Sequence, residues 1–127
     1  MSGLQSFDKQ QYLSLETFRK NGNGVKTPVW FAQEGEQLFI WTESTSGKAK
    51  RIRNTATVKV APSKGDGTPV GEWLAASAVV DESEAALQHV KGLMSKKYGF
   101  AFGFFELLGK LRRAKHTSIQ VEVRPAN

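Results

Sequence analysis

Tyr12–Ala32 reads YLSLETFRKNGNGVKTPVWFA. Two apolar stretches flank NGNG at Asn21–Gly24, a run that demands a turn. In the first, Tyr12–Phe18, Leu13 and Leu15 alternate with polar neighbours. That period of two marks a strand with one buried face. The second, Val25–Ala32, is rich in Val, Thr, Trp and Phe, which favour strands. Its Pro28 has no N–H to give a ladder, so it belongs at a sheet edge or a bulge. Glu34–Gln37, EGEQ, is a further turn, and Leu38–Glu43, LFIWTE, a third strand. The second and third strands read as a hairpin.

Beyond this lies Ser46–Asn54, SGKAKRIRN, with Lys48, Lys50, Arg51 and Arg53 and no acid. Ala49, Ile52 and Ala56 recur three or four apart, giving a short helix one apolar stripe. Ser44, Thr45 or Ser46 caps it, and its first-turn N–H groups then face an anion. Lys48 and Arg51 share one face of this helix, and Lys50 and Arg53 another. A fourth strand, Thr57–Ala61, puts Val58 and Val60 on one face, and Ser63–Pro69 is a loop. Gly71–Val80 is a long fifth strand. Asp81, with Glu84 three residues on, predicts a cap for a helix over Glu82–Tyr98 that ends at Gly99. Its inner face is Ala85, Ala86, Leu87, Val90, Leu93 and Met94. Phe102–Leu111 is a second short helix, and Ser118–Arg124 a last strand with Ile119, Val121 and Val123 inward. Six strands and two or three helices make a mostly β domain over residues 1–127. A barrel is the simplest way to hide the strand edges. A sandwich and an open antiparallel sheet with helices on one side are the alternatives.

The 127 residues suffice for one core. Eighteen Lys and Arg against twelve Asp and Glu give a net charge of +6, and Ser44–Gly65 holds six cations and no acid. Such a field favours an anionic partner. With no cysteine, disulfides, thiolate metal sites and cysteine nucleophiles are excluded. His89 and His116, the two histidines, lack metal-ligand spacing, so no metal is expected. There is no G-x-G-x-x-G, P-loop or G-x-S-x-G pattern, and no paired carboxylates. MSGLQSFDKQQYLSL does not read as a secretory signal, and a cytoplasmic protein is expected. The aromatic run Phe100, Phe102, Phe104 and Phe105 is read as core or dimer packing. A pocket lining, or an amphipathic surface helix, is the alternative; the four cations of LGKLRRAK could meet an anionic lipid surface or the anionic tail of a cofactor, and membrane contact is not the expectation. A small nucleic-acid-binding barrel is the competing class. No RNA-recognition strand motif or helix-turn-helix supports it, so no nucleic-acid partner is expected.

The ordered blocks YLSLETFRKNGNGVKTPVWFA, LFIWTESTSGKAKRIRNTATVKVAPS and GTPVGEWLAASA, with the later KYGF and the last strand, resemble the pyridoxamine-phosphate-oxidase-like flavin and deazaflavin family. Within it they are similar to the actinobacterial branch that uses coenzyme F420. The resemblance implies a split β-barrel, a homodimer, and a cofactor cleft between subunits. It implies cofactor contacts from Lys26, Thr27, Trp41, Thr42, Ser46, Lys48, Lys50, Arg51 and Arg53. The backbone around Pro28, Val29 and Trp30 would lie beside the tricyclic ring. Trp30, Trp41 and Trp73 are candidate pocket walls. The reaction implied is hydride transfer to a small organic substrate, for which the protein supplies orientation and electrostatics. No residue stands out as a general acid or base. FMN is the alternative cofactor, and a non-catalytic carrier the alternative role. The deazaflavin coenzyme carries a phosphate and an oligoglutamate tail, whereas FMN ends at one phosphate. A cluster of four cations suits the longer anion better.

Overall fold

The computed structural model describes residues 3–123. After a 3-10 turn, Gly3–Phe7, the elements are β1 (Tyr12–Phe18), β2 (Gly24–Trp30), β3 (Ala32–Glu34), β4 (Gln37–Glu43), α1 (Gly47–Asn54), β5 (Thr57–Ser63), β6 (Leu74–Asp81), α2 (Glu84–Tyr98), α3 (Phe100–Leu111) and β7 (His116–Val123). The strands form one antiparallel sheet in the order β2-β1-β5-β6-β7-β4-β3. It curls into a split β-barrel, so that β2 and β4, far apart in the strand order, line the same cleft. The expected mostly β architecture is the observed one, with seven strands among the described residues where the sequence predicts six.

The extra strand comes from Val25–Ala32, which the sequence presents as one run. The chain pairs with β1 up to Trp30, then changes partner and pairs with β4 from Ala32. Phe31, between the two, is in neither ladder, and side chains serve its backbone instead. Its N–H donates to the Tyr98 hydroxyl at 3.1 Å, while its carbonyl accepts from Lys97 Nζ and Tyr98 Oη, both at 2.8 Å. The buried polar groups left by the change of partner are thereby satisfied. Pro28 lies on the edge strand β2, where a missing donor is tolerated.

Strand alternation divides the apolar residues between two cores. Leu13, Leu15, Leu38, Ile40, Val58, Val60, Ile119 and Val121 face into the barrel, where Ile52 of α1 joins them. Phe39 and Trp41 project from the other face of β4 toward Val90 and Met94 of α2 and Phe102 of α3. The inward set of β7 is as expected; Arg124 lies outside the described residues. Several element boundaries differ from the reading: β5 runs on to Ser63 rather than ending at Ala61, and β7 starts at His116 rather than Ser118. β6 starts at Leu74 rather than Gly71. The cap of α2 is Ser83, whose hydroxyl accepts the Ala86 N–H at 3.1 Å. Asp81 instead ends β6 and accepts the Ser83 N–H at 3.0 Å, so the acid shapes the approach to the helix rather than its first turn. Helix α3 begins at Phe100, and of its phenylalanines Phe102 alone is buried. The apolar run is therefore not core, and most of it faces outward. No helix among the described residues is long and apolar enough to cross a membrane.

Candidate functional site

Where β2 and β4 approach each other the barrel opens into a cleft of about 500 Å³. One wall is Tyr12, Val29 and Trp30, from β1 and β2, and the other is Trp41, Thr42 and Glu43 of β4. Lys48 stands at the α1 end, and α3 covers the space with Phe105, Leu108, Gly109 and Arg112. The aromatic walls are fixed by stacking. Trp30 lies flat on Tyr98 at 4.3 Å and meets Phe105 edge-on at 5.3 Å. Trp41 lies flat on His116 at 3.9 Å and meets Phe102 edge-on at 4.9 Å. The Trp41–His116 stack follows from register: β4 and β7 pair Trp41 with Ser118 and Glu43 with His116, making Trp41 and His116 diagonal neighbours on one sheet face. Burial, the largest influence, lowers the His116 pKa below its usual 6.5 against the opposing pull of Glu43, so the imidazole is neutral at pH 7.

The polar end of the cleft is built by the start of α1. Ser46 is the cap, accepting the Ala49 N–H at 3.3 Å and a hydrogen bond from Thr42 at 3.4 Å. Lys48 Nζ reaches Thr42 Oγ1 at 3.5 Å. Its pKa is lowered by burial first and by Arg51 second, with Glu43 opposing. Arg51 folds back over the first turn: a Cβ on Gly47 would come within 2.8 Å of its guanidinium. Its Nε donates to Thr17 Oγ1 at 2.6 Å, and Arg19 adds to the local positive charge. Two cations and the free N–H groups of a helix start thus converge, which is the ordinary construction of an anion site.

Of the residues anticipated from sequence, Val29, Trp30, Trp41, Thr42 and Lys48 line the cleft. Ser46 and Arg51 adjoin it through α1. The other cationic pair is elsewhere: Lys50 is exposed, and Arg53 forms an ion pair with Glu82 at 3.0 Å. Lys26 lies over Trp73 at 5.2 Å, outside the cleft with that tryptophan. Pro28 is exposed, and the buried Thr27 hydroxyl has no hydrogen-bond partner among the described residues. Tyr12, Glu43, Met94, Leu108, Gly109, Arg112 and His116 complete the lining with no sequence signal for it, and Phe105 joins them from the aromatic run for which a pocket lining is the alternative reading. Only the curl of the sheet and the crossing of α3 bring them there.

No protein-family model and no curated protein matches the chain. Solved structures do. HutZ, the heme storage protein of Vibrio cholerae, superposes with a TM-score of 0.71 at 15% identity, over 96% of this chain and 87% of its own. A Listeria innocua protein provisionally assigned as a pyridoxamine 5'-phosphate oxidase gives 0.67 at 15% identity, over 96% and 90%. The fold is that of the pyridoxamine-phosphate-oxidase-like split barrel. A structure described as an F420 reductase gives 0.63 at 18% identity, over 96% of this chain and 93% of that one. At such identities the likeness is one of fold.

Proposed function

We propose that the protein is an oxidoreductase that binds coenzyme F420 and transfers a hydride to a small organic substrate, and that it works as a homodimer. The observation that carries this reading is the junction of an aromatic-walled cleft with the Lys48–Arg51 end of α1. A flat, tricyclic cofactor with an anionic tail matches both halves: rings between indoles, charge at the helix start. Trp41 supports the fit further. Its Nε1–H is buried without a partner among the described residues, which leaves a donor for a carbonyl of the ring. Arg19 beside Arg51 extends the positive field in the way a tail longer than one phosphate requires.

When bound, the reduced deazaflavin would supply the hydride. The chain's own residues orient and shield it. Trp30 and Trp41 form the walls, and Phe105 and Leu108 of α3 exclude water from the open side. Lys48 and Arg51 hold the phosphate, and Ser46 and Thr42 fix the lysine's approach.

The test is a paired titration of the purified protein with F420 and with FMN, followed by quenching of cofactor fluorescence at two salt concentrations. F420 is expected to bind more tightly, with a salt-dependent affinity. Lys48→Gln combined with Arg51→Gln should weaken it about a hundredfold, because the pair of substitutions removes two charge-assisted hydrogen bonds to the phosphate. Preference for FMN would replace the cofactor while leaving the fold untouched. An unchanged dissociation constant in the double variant would overturn the placement of the phosphate.

A further inference from the structure

We propose that the outer face of α3 docks on an anionic lipid surface. Phe100 is 97% exposed, Leu111 73%, Phe104 56% and Leu107 55%. At 3.6 residues per turn these four lie within roughly 60° of arc. That arc is opposite Phe102 and Gly109, the buried side of the helix. The most outward strip of the helix is thus wholly apolar over three turns. Phe100, Gly103, Phe104 and Leu107 also frame a shallow hollow of about 330 Å³. A solvated helix puts its charges there instead.

Charge selects the occupant. Between Lys96 and Lys115 there are five cations besides Lys96 itself and one acid, Glu106. Glu106 is taken up by Lys91 at 2.7 Å, and Arg112 by Glu43. Lys96, Lys110, Arg113 and Lys115 make no ion pair among the described residues; Lys96 precedes the apolar strip in sequence and Arg113 follows it, while Lys110 and Lys115 lie on the flank in a hollow shared with Glu82, Glu84 and Glu106. A second copy of the chain packed on this face would bring the same excess of cations together. An anionic headgroup layer neutralises them while the phenyl and isobutyl groups enter the acyl boundary. Phe105 and Leu108, on the adjoining face, line the cleft, so a docked α3 sets one cleft wall beside the lipid.

The experiment is co-sedimentation of the full chain with vesicles of phosphatidylcholine alone and of phosphatidylcholine mixed with phosphatidylglycerol. Binding is expected to the mixed vesicles only, and to fall as salt is raised. Phe100→Ser with Leu111→Ser should weaken it about tenfold or more, because both side chains are fully apolar contributors. Lys110→Glu with Arg113→Glu should weaken it by a similar factor. All four side chains are exposed, so the variants keep the fold, which circular dichroism checks. The proposal is overturned if the wild type ignores anionic vesicles, or if the serine variant binds them as the wild type does. It is overturned equally if light scattering shows that the serine variant converts a dimer to a monomer, since a second copy would then cover the face.

Discussion

Gly109 shows how much one missing carbon can decide. A Cβ at this position would stand 2.7 Å from His116 Cε1. The imidazole has little room to retreat, because it lies against Trp41 at 3.9 Å. Gly109→Ala must therefore lift α3 or pull the ring off the indole. Overpacking of this kind costs about 1–3 kcal/mol, against a gain of about 1 kcal/mol for replacing a helical glycine. A net loss in urea unfolding is expected. Gly92 of α2, with nothing within 4 Å of its virtual Cβ, is the control. There the same substitution should stabilise by up to about 1 kcal/mol. In the sequence the two glycines look alike, each inside a helical run. What separates them is a ring from a strand that begins seven residues after Gly109, and no local pattern announces it.

Among the elements, the seam at Phe31 depends on α2. Tyr98→Phe keeps the ring stacked on Trp30 but removes the hydroxyl that accepts the Phe31 N–H and shares its one proton between the carbonyls of Gln11, at 2.6 Å, and Phe31, at 2.8 Å. A buried N–H is left unpaired, at a cost of about 1–3 kcal/mol. Urea unfolding should register the loss, and the Phe31 amide should exchange faster with deuterium. Periodicity made β1, α1 and β7 legible, because each has one clear inner face, and composition did the same for β4, whose two faces are both apolar. It could not place the break at Phe31, since Val25–Ala32 has one continuous strand composition and the change of partner is a tertiary event. Likewise the phenylalanines of α3 are hydrophobic enough for a core, and their spacing does not say that the sheet lies on the side of Phe102. Asp81 and Ser83 are both good caps, and the length of β6 decides between them.

For the molecule as a whole, the cleft was half legible. Val29, Trp30, Trp41, Thr42 and Lys48 were read because a family resemblance pointed at two blocks of sequence, while His116, Arg112 and Gly109 required the curled sheet and the crossing helix. The same seam also sets a pH dependence of stability. Burial brings the Lys97 pKa from 10.5 to about 8. Above pH 8 the unfolded chain therefore binds more protons than the native one at this site, and stability climbs with pH. Tyr98 is raised from 10.0 to about 12, chiefly by burial. Above pH 10 the unfolded phenol ionises while the native one stays protonated, so stability falls. The two contributions together peak near pH 10, the ordinary tyrosine value. Lys97→Met should flatten the rising limb and Tyr98→Phe the falling one, in Tm measured against pH and differenced from the wild type. The seam has a kinetic consequence as well. Phe31 is separated from Lys97 and Tyr98 by 66 and 67 positions. A nascent chain completes its first six strands before either side chain has been synthesised. The hairpins can form on local pairing, but this closure has a large loop entropy to overcome and belongs to the last stage of assembly. Tyr98→Phe should then hasten unfolding while leaving the refolding rate almost unchanged, as expected of interactions absent from the transition state.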